Sequence, residues 1–133
     1  MTTFRISEVA DLMGVSTDTV RRWTDSGRLP ATREANGHRT VEGAALAAFA
    51  RSLAENPDPE RTVTTSARNS MRGIVTHVVR DTVMAQVEMQ CGPYRIVSLM
   101  SREAADDLGL EPGVLAIAMV KSTNVIVELA DAD

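Results

Sequence analysis

The sequence of 133 residues predicts an α+β chain of two domains. The first is an α-helical winged helix-turn-helix over residues 1–54. A linker over 55–64 leads to the second, a small five-stranded barrel of the oligonucleotide/oligosaccharide-binding type with one short helix, over 65–133. Three observations carry this reading. Apolar residues recur at helical spacing as far as Leu53. Asn56-Pro57-Asp58-Pro59-Glu60 then breaks the pattern, because each proline restricts its own φ and the residue before it. Beyond the break, apolar residues alternate as in half-buried strands, with turn residues between the runs.

In the first half, Ser7 is placed to cap a helix whose face is Val9, Leu12 and Met13. Gly14-Val15 supplies a turn, and Ser16 caps a second helix with Val20 and Trp23 on its apolar stripe. Thr17, Asp18, Arg21 and Arg22 fall on its other faces, and Gly27 suits its left-handed end. Two extended runs around Asn36-Gly37 read as a two-residue hairpin tipped by His38 and Arg39. Thr40 then caps a third helix with Val41, Ala45, Ala48, Phe49 and Leu53 on one face.

In the second half, Gly73 to Arg80 is rich in β-branched residues and reads as a strand. After a turn at Asp81-Thr82, Val83, Ala85, Val87 and Met89 alternate with polar positions. Cys91-Gly92-Pro93 turns into a third strand, Tyr94 to Met100, and Ser101 caps a short helix closed by Gly109. Val114 to Val120 is an uninterrupted apolar run, as in a strand buried on both faces. Asn124 to Leu129 supplies the fifth strand.

Net charge is −4, but it is unevenly spread. Residues 1–53 carry seven arginines against six acids, and residues 54–133 carry seven basic groups against twelve acids. Binding to nucleic acid would therefore rest on where the arginines stand, not on bulk charge. One cysteine excludes an intrachain disulfide and fits a reducing cytoplasm. No segment approaches the roughly 20 apolar residues of a membrane span, and a signal-peptide core is lacking. A membrane partner is not expected, and a cytoplasmic location is.

A short helix with two arginines, followed by a basic hairpin, suits a DNA groove and its flanking phosphates. Any one of these arginines taken alone reads equally well as a solvated face. The wider pattern resembles the MerR superfamily in its excisionase-like form. It runs through Ile6-Ser7-Glu8-Val9-Ala10, Leu12-Met13-Gly14-Val15-Ser16, Thr19-Val20-Arg21-Arg22-Trp23, Gly27-Arg28-Leu29-Pro30 and Gly37-His38-Arg39. The resemblance implies contacts to double-stranded DNA by Thr17, Thr19, Arg21, Arg22, Arg33, His38 and Arg39. It also leaves this chain without the long dimerisation helix of larger relatives, so self-association would have to arise in the second half.

A second resemblance rests on Thr65-Ser66-Ala67-Arg68-Asn69, Gly73, Ala104 to Leu110, Pro112-Gly113 and Val120-Lys121-Ser122-Thr123. These are similar to Mop domains, the TOBE-like barrels also called molbindins. The resemblance implies a molybdate or tungstate ligand held by Ser66, Ala67, Arg68, Ser101, Lys121 and Ser122, in a homo-oligomer (dimer or hexamer). By residue chemistry alone, pairing of Arg68 and Lys121 with nearby acids is the stronger reading. The donor set is nevertheless coherent: a tetrahedral dianion needs positive charge and hydroxyl or N–H donors on several sides.

His77, Cys91 and His38 lie far apart in sequence and fall short of a metal set. No phosphate-cradling glycine loop or nucleophile motif appears. The expectation is a non-enzymatic regulator without a cofactor, binding DNA through its first half and molybdate or tungstate through its second. The rival expectations are an oxyanion storage protein with an accessory head and a recombination accessory factor.

Overall fold

The computed structural model describes residues 2–54 and 65–130, which fall in two compact units. The expected linker, 55–64, lies outside the described residues.

The first unit begins with a strand that the sequence did not announce. β1 (Thr3–Arg5) pairs antiparallel with β3 (Arg39–Glu42), and β2 (Thr32–Arg33) pairs with the other edge of β3. This pairing resets the start of α1 (Ile6–Met13): its cap is Arg5, not Ser7, and the Glu8 carboxylate reaches back to the Arg5 N–H at 3.1 Å. α1 ends at Gly14 and α2 (Thr17–Asp25) follows at once. Ser16 caps α2 as expected, its Oγ accepting from the Thr19 N–H at 3.2 Å. Thr40 does not cap the third helix. It lies in β3, and α3 (Gly43–Ala54) starts three residues later.

The core of this unit is Val9, Ala10, Val20, Leu29, Val41, Leu46 and Phe49, with Trp23 half-buried and its ring centroid 4.8 Å from that of Phe49. Trp23 is thus a packing residue. Burying one Val or Leu of this set is worth about 1.5–3 kcal/mol, and Leu29, fully buried between α2 and the hairpin in sequence, is one the periodicity missed. Leu12 turns out 58% exposed, Leu53 is 38% exposed, and Ala48 is exposed. The buried face of α3 is Leu46 and Phe49.

The hairpin turn is longer than Asn36-Gly37 alone suggested. The Glu34 N–H donates to the His38 carbonyl at 2.8 Å and the Gly37 N–H to the Glu34 carbonyl at 2.9 Å, leaving a three-residue loop. Gly37 at φ 86° takes the left-handed position that such a loop requires.

The second unit is a curled antiparallel sheet in the order β6-β5-β4-β7. Its strands are β4 (Asn69–Arg80), β5 (Met84–Cys91), β6 (Tyr94–Ser101) and β7 (Leu115–Val120), with α4 (Arg102–Asp107) between the last two. The twelve-residue β4 is the spine: its first half pairs with β7, its second with β5, and Ile74 pairs with both. The inner face holds Val75, Val87, Met89, Cys91 and Leu110, backed by Met71, Ile96, Met100, Ala116 and Ala118. Val83, expected on that face, is 67% exposed in the turn. Arg80 ties the Leu110 carbonyl (2.8 Å), Asp106 (2.9 Å) and Glu111 (3.1 Å) to the end of β4.

Two expectations fail here. Four strands, not five, are present among the described residues: after a single 3-10 turn at Ser122–Asn124, Val125 to Ala130 pairs with nothing. And β7 is not buried on both faces, since Leu115, Ile117 and Met119 are 65%, 44% and 46% exposed.

Candidate functional site

α2 carries its polar residues outward, as its single buried residue, Val20, dictates. Arg21 and Arg22 are exposed, while Thr17 and Thr19 are half-buried. Arg21 pairs with Asp18 at 3.2 Å, and Arg22 donates to Thr19 Oγ1 at 3.3 Å. Both contacts lie on the surface, where an ion pair is worth at most about 1 kcal/mol, so a stronger anion can displace them. His38 is exposed at the hairpin, with its backbone N–H donating to Asn36 Oδ1 at 3.0 Å. Arg33 is exposed on β2.

Arg39 differs from the other arginines. Its guanidinium reaches α2, donating to Thr24 Oγ1 at 2.9 Å and Asp25 Oδ1 at 2.6 Å, and its side chain is only 28% exposed. It fastens the hairpin to the helix. Between these elements opens a cleft of about 430 Å³, lined by Arg5 to Ser7, Thr17 and Arg21, and Gly37 to Arg39. Thus Thr17, Arg21, His38 and Arg39 share one concavity. Thr19 and Arg22 face a neighbouring hollow with Trp23, Ser26 and Arg28, and Arg33 a third.

In the second unit the register decides which residues meet. Asn69 pairs with Val120 as the last rung of β4 and β7, and its side-chain amide donates to the Val120 carbonyl at 3.1 Å. Arg68 and Lys121 are the next residues on either side, so they emerge at the same end, both exposed. The Arg68 guanidinium donates to the Thr65 carbonyl at 3.1 Å and the Ala67 N–H to Thr65 Oγ1 at 3.1 Å, folding the Thr65-to-Arg68 segment into a tight bend. Ser66 is exposed on that bend, and Ser122 opens the 3-10 turn beside Lys121. Five of the six expected residues therefore gather at one end of the sheet.

Ser101 does not join them. It caps α4, with its Oγ accepting from the Ala104 N–H at 3.1 Å, and pairs with Met84 beside the Arg80 end of β4. The path along β4 between the two ends is roughly 36 Å at about 3.3 Å per residue.

A family model described as TOBE domain matches residues 65–127, and one described as MerR family regulatory protein matches residues 5–40. Over 63 residues the chain is 35% identical to molybdenum-pterin-binding protein 3 of Clostridium pasteurianum, an alignment covering 47% of this chain and 93% of that protein. Molybdenum-pterin-binding protein 2 of the same organism matches to the same extent. This chain belongs to the TOBE family. Its first half carries the MerR-type match ahead of the TOBE domain. A solved molybdate binding protein from Sporomusa ovata is 31% identical, with a TM-score of 0.49, covering 50% of this chain and 100% of that one.

The TOBE half has a further feature that no motif signalled. β6 and β7 are the two edges of its sheet, yet residues of both line one apolar cavity of about 420 Å³ with Val87, Met89, Leu108 and Leu110. The sheet curls until its edges face each other across an open groove. The unpaired Val125 to Leu129 follows β7, with Ile126 and Leu129 each 93% exposed. In the MerR-type half, Arg5 and Ser7 line the cleft without a sequence signal of it, since Ser7 reads locally as a cap. Among the described residues no cluster of His, Cys, Asp and Glu could hold a metal ion, and no helix is long and apolar enough to cross a membrane.

Proposed function

We propose that this protein is a molybdate- or tungstate-responsive, DNA-binding transcriptional regulator without catalytic activity. The observation that carries the reading is the convergence of Arg68 and Lys121 at one end of a TOBE sheet in a chain whose first half matches the MerR family. In the MerR-type half, α2 enters the major groove with Thr19, Arg21 and Arg22 and meets the bordering backbone with Thr17 at its start, while the hairpin acts as a wing bearing Arg33 and His38 against the backbone. Arg39 serves this interface by holding wing to helix.

In the TOBE half, Arg68 and Lys121 supply two charges to a tetrahedral dianion. Ser66, the Ala67 backbone and Ser122 supply donors beside them. Charge-assisted hydrogen bonds of this kind are stronger than neutral ones and replace the hydration the anion gives up. Both cations are exposed in one copy, so a single subunit encloses the anion poorly.

A second copy completes the site. Its Val125 to Leu129 segment fills the groove between β6 and β7, pairing there as an added strand and covering exposed apolar residues. The exchange is reciprocal, and it gives Ser101 of one copy a route to the Arg68–Lys121 end of the other. Anion binding then stabilises the assembly by mass action and sets the spacing of two heads. Titration calorimetry with molybdate, tungstate and sulfate, alongside mobility shift on duplex DNA, tests this reading. Binding of the first two but not sulfate, together with DNA binding, is expected. Absence of either activity overturns it.

A further inference from the structure

The cleft between α1, α2 and the hairpin holds a cation that neither resemblance nor helical spacing assigns to DNA. Arg5 is exposed, and its backbone is held from two sides: it pairs with Thr40 in the β1·β3 ladder, and its N–H is taken by Glu8. Its guanidinium, by contrast, has no carboxylate partner among the described residues. The two other arginines of this cleft are differently placed. Arg21 is shared with Asp18 at 3.2 Å, and Arg39 is committed to Asp25 and Thr24. Arg5 is therefore the cation of the cleft that a ligand can take without breaking an internal ion pair. Ser7 and Thr17 line the same cleft and bring hydroxyl donors from the starts of α1 and α2.

One cation on a held backbone, sharing a cleft with two hydroxyls, matches a phosphodiester, which carries a single negative charge and two accessible oxygens. The cleft adjoins the proposed recognition helix on one side and the wing on the other, where the sugar-phosphate backbone bordering an occupied groove would run. We propose that Arg5, with the Ser7 and Thr17 hydroxyls, binds one DNA backbone phosphate and so fixes the register of α2 in the groove. Contacts of this type position a protein on the duplex without reading sequence. The proposal rests on the DNA-binding reading given above and adds to it a contact from α1 and β1.

The test uses the full chain and two duplexes of equal length, one of random sequence and one enriched by rounds of selection on the wild type. Affinity is measured as a function of salt. Arg5→Ala should weaken binding to both duplexes by a similar factor of about ten, the lower end for a charge-assisted contact. The slope of log affinity against log salt should become shallower by about 0.9, as for one lost phosphate contact. Arg5→Lys should keep the slope, and Arg5→Gln, which retains most of the stem, should behave as the alanine variant. Wild-type affinity and slope in Arg5→Ala or Arg5→Gln overturn the proposal. So does a selective loss on the enriched duplex with the slope intact, which would make Arg5 a base reader. A wild type that binds neither duplex overturns the DNA-binding reading itself, and this contact with it.

Discussion

Replacing Gly73 with alanine should strongly destabilise the TOBE half. Gly73 lies where β4 passes from β7 to β5, one residue before Ile74, which pairs with both. A Cβ built there would overlap the Gln90 carbonyl oxygen and lie 2.6 Å from Cys91 Sγ and 3.0 Å from the Gln90 carbonyl carbon. Two of these three atoms are backbone of the adjoining strand, and the third belongs to a buried side chain. None can swing aside as a surface side chain would, so β4 and β5 must part. Overpacking costs about 1–3 kcal/mol, sometimes more, and a backbone clash belongs at the upper end. A unit of this size is stable by roughly 3–10 kcal/mol. At about 4–8 °C per kcal/mol, a loss near 3 kcal/mol lowers Tm by roughly 12–24 °C. Calorimetry of the full chain should show the fall in the transition that molybdate shifts. Adding Cys91→Ala removes only the sulfur, so the double variant should remain well below wild type. A Tm change under about 3 °C, less than 1 kcal/mol, would refute the close approach of the two strands.

Four further outcomes follow from particular residues and segments. Arg39→Ala should leave Tm nearly unchanged, because a half-exposed pair contributes about 1 kcal/mol or less, yet weaken DNA binding as the hairpin comes loose. Asp25→Ala separates strut from phosphate contact: if Arg39 positions the wing, mobility shift will show weaker binding, whereas a freed Arg39 contacting phosphate would bind more tightly. Truncation after Asn124 should convert the oligomer to monomer by light scattering and abolish the molybdate-induced rise in Tm, and a truncated chain that still assembles would sink the strand exchange. Finally, the Met84 and Val83 N–H groups donate to Asp81 at 2.6 and 2.7 Å and, with Arg102 nearby, hold its carboxyl below the usual carboxylate range. A lowered folded pKa means stability that is full above the unfolded value near 4 and lost as pH falls through the folded one. Asp81→Asn should therefore be less stable at neutral pH and lose less on acidification, and a parallel pH profile would contradict it.

What could be read from the sequence was what is decided locally. Ser16 and Ser101 were recognisable as caps because the bonded N–H lies three residues away in each case. Trp23 was legible as core from its spacing to Val20. The failures share a different cause, a partner distant in sequence. Ser7 and Thr40 have the chemistry of caps, but pairing of β1 with β3 moved both helix starts. Val114 to Val120 is apolar on both sides although only one faces its own core, because hydrophobicity alone does not tell a buried face from an exposed apolar one. Val125 to Leu129 has the composition of a strand and no strand beside it among the described residues. In the site, Arg68 and Lys121 could be paired by motif. Placing Ser101 at the far end of β4 required the register, and so did the engagement of Arg39 with Asp25.

The measurement closest to the central claim is DNA affinity with and without saturating molybdate, paired with molybdate affinity with and without the selected duplex. Coupling between two sites is reciprocal and typically amounts to a factor of about 5–150. The account predicts that molybdate changes the affinity for DNA by a factor in this range, that DNA changes the affinity for molybdate by the same factor, and that both effects vanish in Lys121→Ala. Two ligands that each bind tightly, with neither altering the other by more than about twofold, would contradict it.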